Sequence, residues 1–384
     1  MQGRTGAPRG GVRRFVVAGS LAVLLASVPG APAQAGYATS SQVTSTATVP
    51  GAVELSGMVA SPTHPGWYWA HSDVWKSSDA FAACADTSGA ALAECQQVQR
   101  ARLWAVRIDD ETHKVVAARS FALDTPAWAT DPVVAQNNDW EDIAFGPRRE
   151  DGTVNLVVGA LGNSVKNPVL DSDGVDRTCD TRRLIELAEP DLSDPAATTW
   201  TPRAVFDIKN PVGLGPVTSC NFETLLVGQD GAGEPTAYLV SRAQRRIVSR
   251  TLAESTGRPP GEPVAAPGSG LPHEPSAQYV GTVKDATGLQ LTAGDSNASR
   301  VSLVARRTST QPCRVLTWSL GGRGLGAVLT GTTPTKSVVG CNGAVESLTY
   351  ARGPADPSVA TDDLYAVSDS GGSSKFTVWW FPDT

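Results

Sequence analysis

Four stretches of this chain share one shape: an acidic residue, then a short apolar run of strand type. They read VELSGMVA from Val53, DWEDIAFG from Asp139, NFETLLVG from Asn221 and AVESLTYA from Ala344. Each is followed at a similar distance by a second strand: WYWAHSD (Trp67 to Asp73), NLVVGALGN (Asn155 to Asn163), AYLVSRAQ (Ala237 to Gln244) and LYAVSDSG (Leu364 to Gly371). Self-similarity at such a period marks a repeat architecture, in which each unit buries its apolar surface only against its neighbours.

Between the repeats the chain alternates short strands with polar turns, as in RLWAVRID from Arg102, RRLIELAEP from Arg182, PRAVFDI from Pro202, RRIVSRTLA from Arg245, RVLTWSL from Arg314, GAVLTG from Gly326 and KFTVWWF from Lys375. Helical periodicity is confined to an insertion from Ser77 to Gln99. Many short strands with regular turn signals predict a sandwich, barrel or propeller, and the repeat selects an all-β propeller of four-stranded blades. Five blades are counted: Glu54 to Leu123, Asp139 to about Ile208, Asn221 to about Val264, a degenerate one from Leu289, and a three-stranded one from Val345. A sixth is accommodated if the Pro-rich stretch Gly257 to Pro275 with Tyr279 to Val283 forms one. The alternating segment Gln42 to Val49 is the candidate to complete the last blade and join the chain ends, which removes open sheet edges.

The first 35 residues read as a secretory signal peptide cleaved after Ala35. Arg4, Arg9, Arg13 and Arg14 precede an apolar stretch too short to span a bilayer, and Ala33-Gln34-Ala35 has the small-residue pattern of a cleavage site. The flanks of Arg13-Arg14 match a twin-arginine signal poorly, which favours general secretion. Residues 36–50 form a linker and closing strand, and 51–384 the propeller domain. The formal net charge is −6, and the leader carries four arginines and no acid, so the remainder is more acidic still. An acidic chain repels phosphate backbones and anionic membranes, which excludes nucleic acid as the expected partner and favours cations. No later apolar run is long enough for a stable membrane anchor. The expected state is a secreted monomer whose ligand is a small molecule, a glycan or a protein.

Cys84, Cys95, Cys179, Cys220, Cys313 and Cys341 make an even set without C-x-x-C spacing, which in an exported chain predicts disulfides rather than zinc. Nearest-neighbour pairing is favoured among the 15 arrangements that six cysteines allow.

In a propeller the first strand of each blade lines the central channel. Glu54, Glu141, Glu223 and Glu346 are therefore the candidate channel acids, with Asp139 and Asp142 flanking Glu141 and Asp295 a looser fifth. A ring of carboxylates suits a hard cation such as Ca²⁺, with Glu54, Glu141, Glu223 and Glu346 as its ligands. Crowded like charges also shift pKa values toward acid/base work. The alternative is structural: such acids accept backbone N–H groups from the neighbouring blade and bind nothing. His71 and Asp73 lie two apart on one strand and so face one side of the sheet, as a ligand or base pair or as a buried histidine beside Trp67, Trp69 and Trp75. Asp369 holds the corresponding place in the last repeat. SDSGGS from Ser368 imitates a serine-protease motif, but Ser-Asp recurs at the same place in the first repeat. GGRGLG from Gly321 lacks phosphate-loop spacing and reads as a turn.

At ELSGM from Glu54, WAHSD from Trp69, DWEDIAFGP from Asp139, EP at Glu189-Pro190, FETLLV from Phe222, LTAGD from Leu291 and VESLTY from Val345, the chain resembles secreted actinobacterial β-propeller proteins. These are distantly similar to the "esterase-like activity of phytase" family and to WD40-like repeat proteins. The resemblance implies an acidic channel, a calcium ion and a cation-dependent, phosphoesterase-like hydrolase. GALGNS (Gly159 to Ser164) departs from it, with Ala160 and Ser164 where acids are expected. Arg148, Arg149, Arg242 and Lys284 are the basic residues available to grip phosphate. The alternative function is a non-catalytic extracellular binding protein that uses Trp-bearing loops on one face.

Overall fold

The computed structural model describes residues 37, 43–49, 55–72, 88–89, 91, 102–124, 140–162, 182–208, 221–253, 277–308, 311–341, 345–352, 360–368 and 375–383. The leader, Glu54, Asp73, Asp139, Asp369, Cys84, Cys95, Cys179, Cys220 and nearly all of the Ser77–Gln99 insertion lie outside them.

In chain order, β1 (Val43–Thr48) precedes β2 (Leu55–Ala60), β3 (Trp67–Ser72), β4 (Arg102–Ile108) and β5 (Val115–Leu123) of blade 1. Blade 2 contains β6 (Trp140–Phe145), β7 (Asn155–Ala160), β8 (Arg182–Ala188) and β10 (Pro202–Ile208), with β9 (Thr199–Trp200) between the last two. Blade 3 is β11 (Phe222–Gln229), β12 (Pro235–Ser241), β13 (Arg246–Thr251) and β14 (Gln278–Thr282). Blade 4 is β15 (Gln290–Ser296), β16 (Arg300–Arg306), β17 (Cys313–Ser319) and β18 (Thr335–Val339), with helix α1 (Leu325–Gly331) before its last strand. β19 (Val345–Arg352), β20 (Ala360–Ser368) and β21 (Lys375–Phe381) begin blade 5, and β1 completes it by pairing antiparallel with β21, from Val43 opposite Trp380 to Thr48 opposite Lys375. Inner strands β2, β6, β11, β15 and β19 each touch the next, and the last touches the first. The result is a closed five-bladed propeller.

The core is divided among the blade interfaces. Five clusters of buried apolar side chains lie one between each pair of neighbours. Strand periodicity explains this: on β7, Leu156 and Val158 face blade 1 while Val157 faces blade 3. Inner strands are therefore buried along most of their length, since both their faces are covered. Four tryptophans follow the same rule. Trp69, Trp104, Trp140 and Trp318 are fully buried between blades, so they belong to the core and not to a contact surface on loops.

Two sequence expectations are corrected, and one pairing is new. GAVLTG is the body of α1 and not a strand, because Leu325, Val328 and Leu329 recur at helical spacing and enter the core between blades 3 and 4. Blade 3 does not end near Val264; its outer strand is β14, which absorbs Tyr279 and leaves no sixth blade. β9 leaves blade 2 to run parallel to the edge of blade 1, with Ala122 opposite Thr199 and Leu123 opposite Trp200. The Cys313–Cys341 disulfide forms as expected and ties the start of β17 to the segment leading into blade 5.

Candidate functional site

Each inner strand carries one register shift near its start, where a single residue is left out of the pairing: Gly57, Glu141, Glu223, Thr292 and Glu346. Such bulges re-aim a side chain away from the sheet. The acid of the repeat is thus a bulge residue in blades 2, 3 and 5. Gly57, not Glu54, holds that place in blade 1, and Thr292, not Asp295, holds it in blade 4. Gly57 has φ +56°, and a Cβ there would lie 2.5 Å from His71 Nε2. The imidazole thus fills the space that a glutamate takes in blades 2, 3 and 5. It is wholly buried, edge-on to Trp140 at 5.8 Å, and burial lowers its pKa to about 4, so it is neutral at ordinary pH.

A second ring of positions follows the ends of the second strands. His71, Ala160, Ser241, Ala305 and Ser368 pair opposite the inner-strand residue that precedes each bulge. The next residues are Ser72, Leu161, Arg242, Arg306 and Asp369. Two guanidiniums therefore stand beside the bulge glutamates. Glu223 is 3% exposed and accepts Asn221 Nδ2 at 2.6 Å and Arg242 Nη1 at 3.0 Å. Burial works against the Arg242 charge, but Glu223, then Glu346 and Glu141, outweigh it and hold its pKa above the usual range. Arg306 is 5% exposed; burial lowers its pKa, with Glu346 and Glu223 opposing and Arg242 adding to the shift. Glu141, Glu223, Glu346, Arg242 and Arg306 thus form one electrostatic cluster at the mouth of the channel. Arg306 was missed in the sequence, although it holds the same repeat position as Arg242.

Two further predicted acids, Asp142 and Asp295, do structural work. Asp142 is wholly buried; its Oδ1 accepts Ile143 N–H at 2.9 Å and its Oδ2 accepts Leu225 N–H of blade 3 at 2.8 Å. Desolvation pushes its pKa well above the carboxylate range. Asp295 accepts Ser296 N–H at 2.7 Å, and Tyr350 N–H and Thr349 Oγ1 of blade 5 at 2.9 and 3.0 Å; burial raises its pKa to about 6. The other proposed phosphate grips are committed elsewhere. Arg149 pairs with the buried Glu186 and donates to Leu252 O, Arg148 donates to Gly152 O, and Lys284 to Gly331 O.

Of the four proposed Ca²⁺ ligands, Glu54 lies outside the described residues. Among the described residues no group of three or more His, Cys, Asp or Glu side chains is placed to hold a metal ion, and Glu223 is spent on Arg242 and Asn221. Arg242 and Arg306 lie within electrostatic reach of the same carboxylates.

No family model and no curated protein matches the chain, so the phytase-related and WD40-like resemblance reaches no further than the propeller itself. Solved structures do align along most of its length. An alpha-L-arabinofuranosidase from Lactobacillus brevis is 12% identical over 87% of this chain and 92% of that one, with a TM-score of 0.42. An endo-arabinase from Bacteroides thetaiotaomicron VPI-5482 is 9% identical over 88% and 97%, with a TM-score of 0.40. A GH43_1 enzyme from Xanthomonas citri is 11% identical over 88% and 89%, with a TM-score of 0.38. The five-bladed ring rests on the strand pairing described above and not on these likenesses. Among the described residues no helix is long and apolar enough to cross a membrane.

Proposed function

We propose that the chain is a hydrolase whose acid/base groups are the bulge glutamates, acting on a glycosidic bond of a small glycan. The observation that supports this is the convergence of Glu141, Glu223 and Glu346 with Arg242 and Arg306 at one channel mouth. Paired carboxylates suffice for glycoside hydrolysis: one protonates the leaving oxygen while the other activates water or attacks the sugar carbon. Glu223 is held in place by Asn221 and Arg242, and Glu141 and Glu346 are the candidates for its partner. Three carboxylates against two guanidiniums leave the cluster with a net negative charge. That disfavours a phosphate dianion, and with it the phosphoesterase reading, but not a neutral glycoside.

Aryl glycosides, including arabinofuranosides and xylosides, and aryl phosphates test the reading directly. The expected result is turnover of a glycoside that falls by about 10²–10⁴-fold in Glu223→Gln and in one of Glu141→Gln or Glu346→Gln, with no response to EDTA. Turnover of the phosphate with calcium dependence would restore the phosphoesterase. No turnover of any substrate by folded protein would favour a non-catalytic binding protein.

A further inference from the structure

We propose that the opposite mouth of the channel is a second binding site, built for a small neutral saccharide. A cavity of about 490 Å³ opens there between blades 3 and 4, reaching Arg352 at the end of the blade 5 inner strand. Arg352 is six residues along β19 from Glu346, or about 20 Å, so this site is separate from the acid cluster. The proposal does not rest on hydrolysis at the acid mouth. The volume is typical of small-ligand sites.

The lining has the makings of hydroxyl recognition. Asp230 Oδ1 is fixed by the N–H groups of Ala232 and Glu234 at 2.8 and 2.9 Å, which leaves Oδ2 without a partner among the described residues. Arg323 is held rigid by Leu320 O, Thr332 Oγ1 and Ser319 O, which takes three of its five N–H donors and leaves two free. Gln229, exposed at the end of β11, adds an amide that both donates and accepts. Leu320 and Leu325 supply an apolar wall against which a sugar's C–H groups pack. A fixed acceptor beside fixed donors matches vicinal hydroxyls.

Gly324 allows a clean test. Its φ is −65°, and a Cβ there would meet nothing closer than 3.5 Å, so a side chain can be added to the cavity wall without backbone strain. Saturation-transfer NMR of the full chain with arabinose, xylose, galactose, xylobiose and lactose should show saturable binding of at least one. In Gly324→Leu binding should fall more than 10-fold, and in Gln229→Ala several-fold, at an unchanged melting temperature. Glu223→Gln should leave it intact. Loss in Glu223→Gln with retention in Gly324→Leu would move the sugar to the acid mouth and overturn the proposal. So would the binding of none of these sugars, or displacement of the bound sugar by inorganic phosphate. A chain inactive on every glycoside but still binding sugar at Gly324 would separate this site from the hydrolase reading.

Discussion

At the scale of single residues, two buried groups oppose each other in the same pH window. The native pKa of Asp295, about 6, lies above its unfolded value near 3.9, so its contribution favours the folded state in acid and is lost as pH rises through about 6. Asp142 acts in the same sense. The native pKa of His71, about 4, lies below its unfolded value near 6.5, so its contribution is full above pH 6.5 and is lost as pH falls toward 4. Replacing Asp295 by Asn removes one arm and leaves the other, although Arg352 opposite the carboxyl moderates the size of the effect. Urea midpoints between pH 7 and pH 4.5 should show the variant losing more stability on acidification than the wild type, by up to roughly 2 kcal/mol. An equal difference at both pH values would show that Asp295 does not titrate in this range. Gly57 shows why a single position resisted reading from the sequence. The repeat suggested aligning Glu54 with the other glutamates, but the residue that matters three places later has no side chain, because an imidazole from the next strand stands where one would be.

At the scale of elements, the blades were legible and their exchanges were not. Alternation, turn residues and the acid-led repeat are local signals, and they located nearly every inner strand and the closing strand. The helix in blade 4 was hidden because GAVLTG is short, and its helical spacing shows only when Leu325 is counted with it. The segment from Glu189 to Trp200 was hidden because its partners are far away in sequence. Glu189 accepts Trp69 Nε1 at 2.8 Å, Arg119 donates to Leu192 O, Asp194 O and Ala197 O, and Trp200 is buried beside Trp140. A loop of blade 2 is thereby strapped onto blade 1. Trp200→Ala should cost about 3–5 kcal/mol and raise proteolysis between Glu189 and Trp200, as read by urea unfolding and limited digestion. Little change in either would show that the strap is held by Arg119 and Glu189 alone. The acid cluster was only partly visible for a similar reason. Glutamates in the repeat announce themselves, whereas Arg306 ends an ordinary apolar strand and gains meaning only from its place in the ring.

At the scale of the whole molecule, the ring is stitched by one polar contact at every inner-strand interface. Ser56 Oγ donates to Glu141 O, Asp142 accepts Leu225 N–H, Ser296 Oγ donates to Val227 O, Asp295 accepts Tyr350 N–H, and Ala60 N–H donates to Thr349 Oγ1. Buried hydrogen bonds of this kind contribute modestly when made and cost more when broken, so they fix the order and spacing of the blades as apolar packing alone would not. The ring still depends on β1. Removing residues 36–49 exposes the edge of β21 and should cost much of a net stability that in a domain is only about 5–15 kcal/mol. It should also promote self-association, measurable by urea unfolding and size-exclusion chromatography. A truncated chain that is monomeric and equally stable would show that β21 needs no cover. The same pairing imposes a sequence in time. Thr48 meets Lys375, so β1 must wait for a strand synthesised much later. Blades can form one by one as the chain emerges, but the circle cannot be completed until β21 has emerged. An early strand with an unsatisfied edge must therefore be kept from other partners throughout that interval.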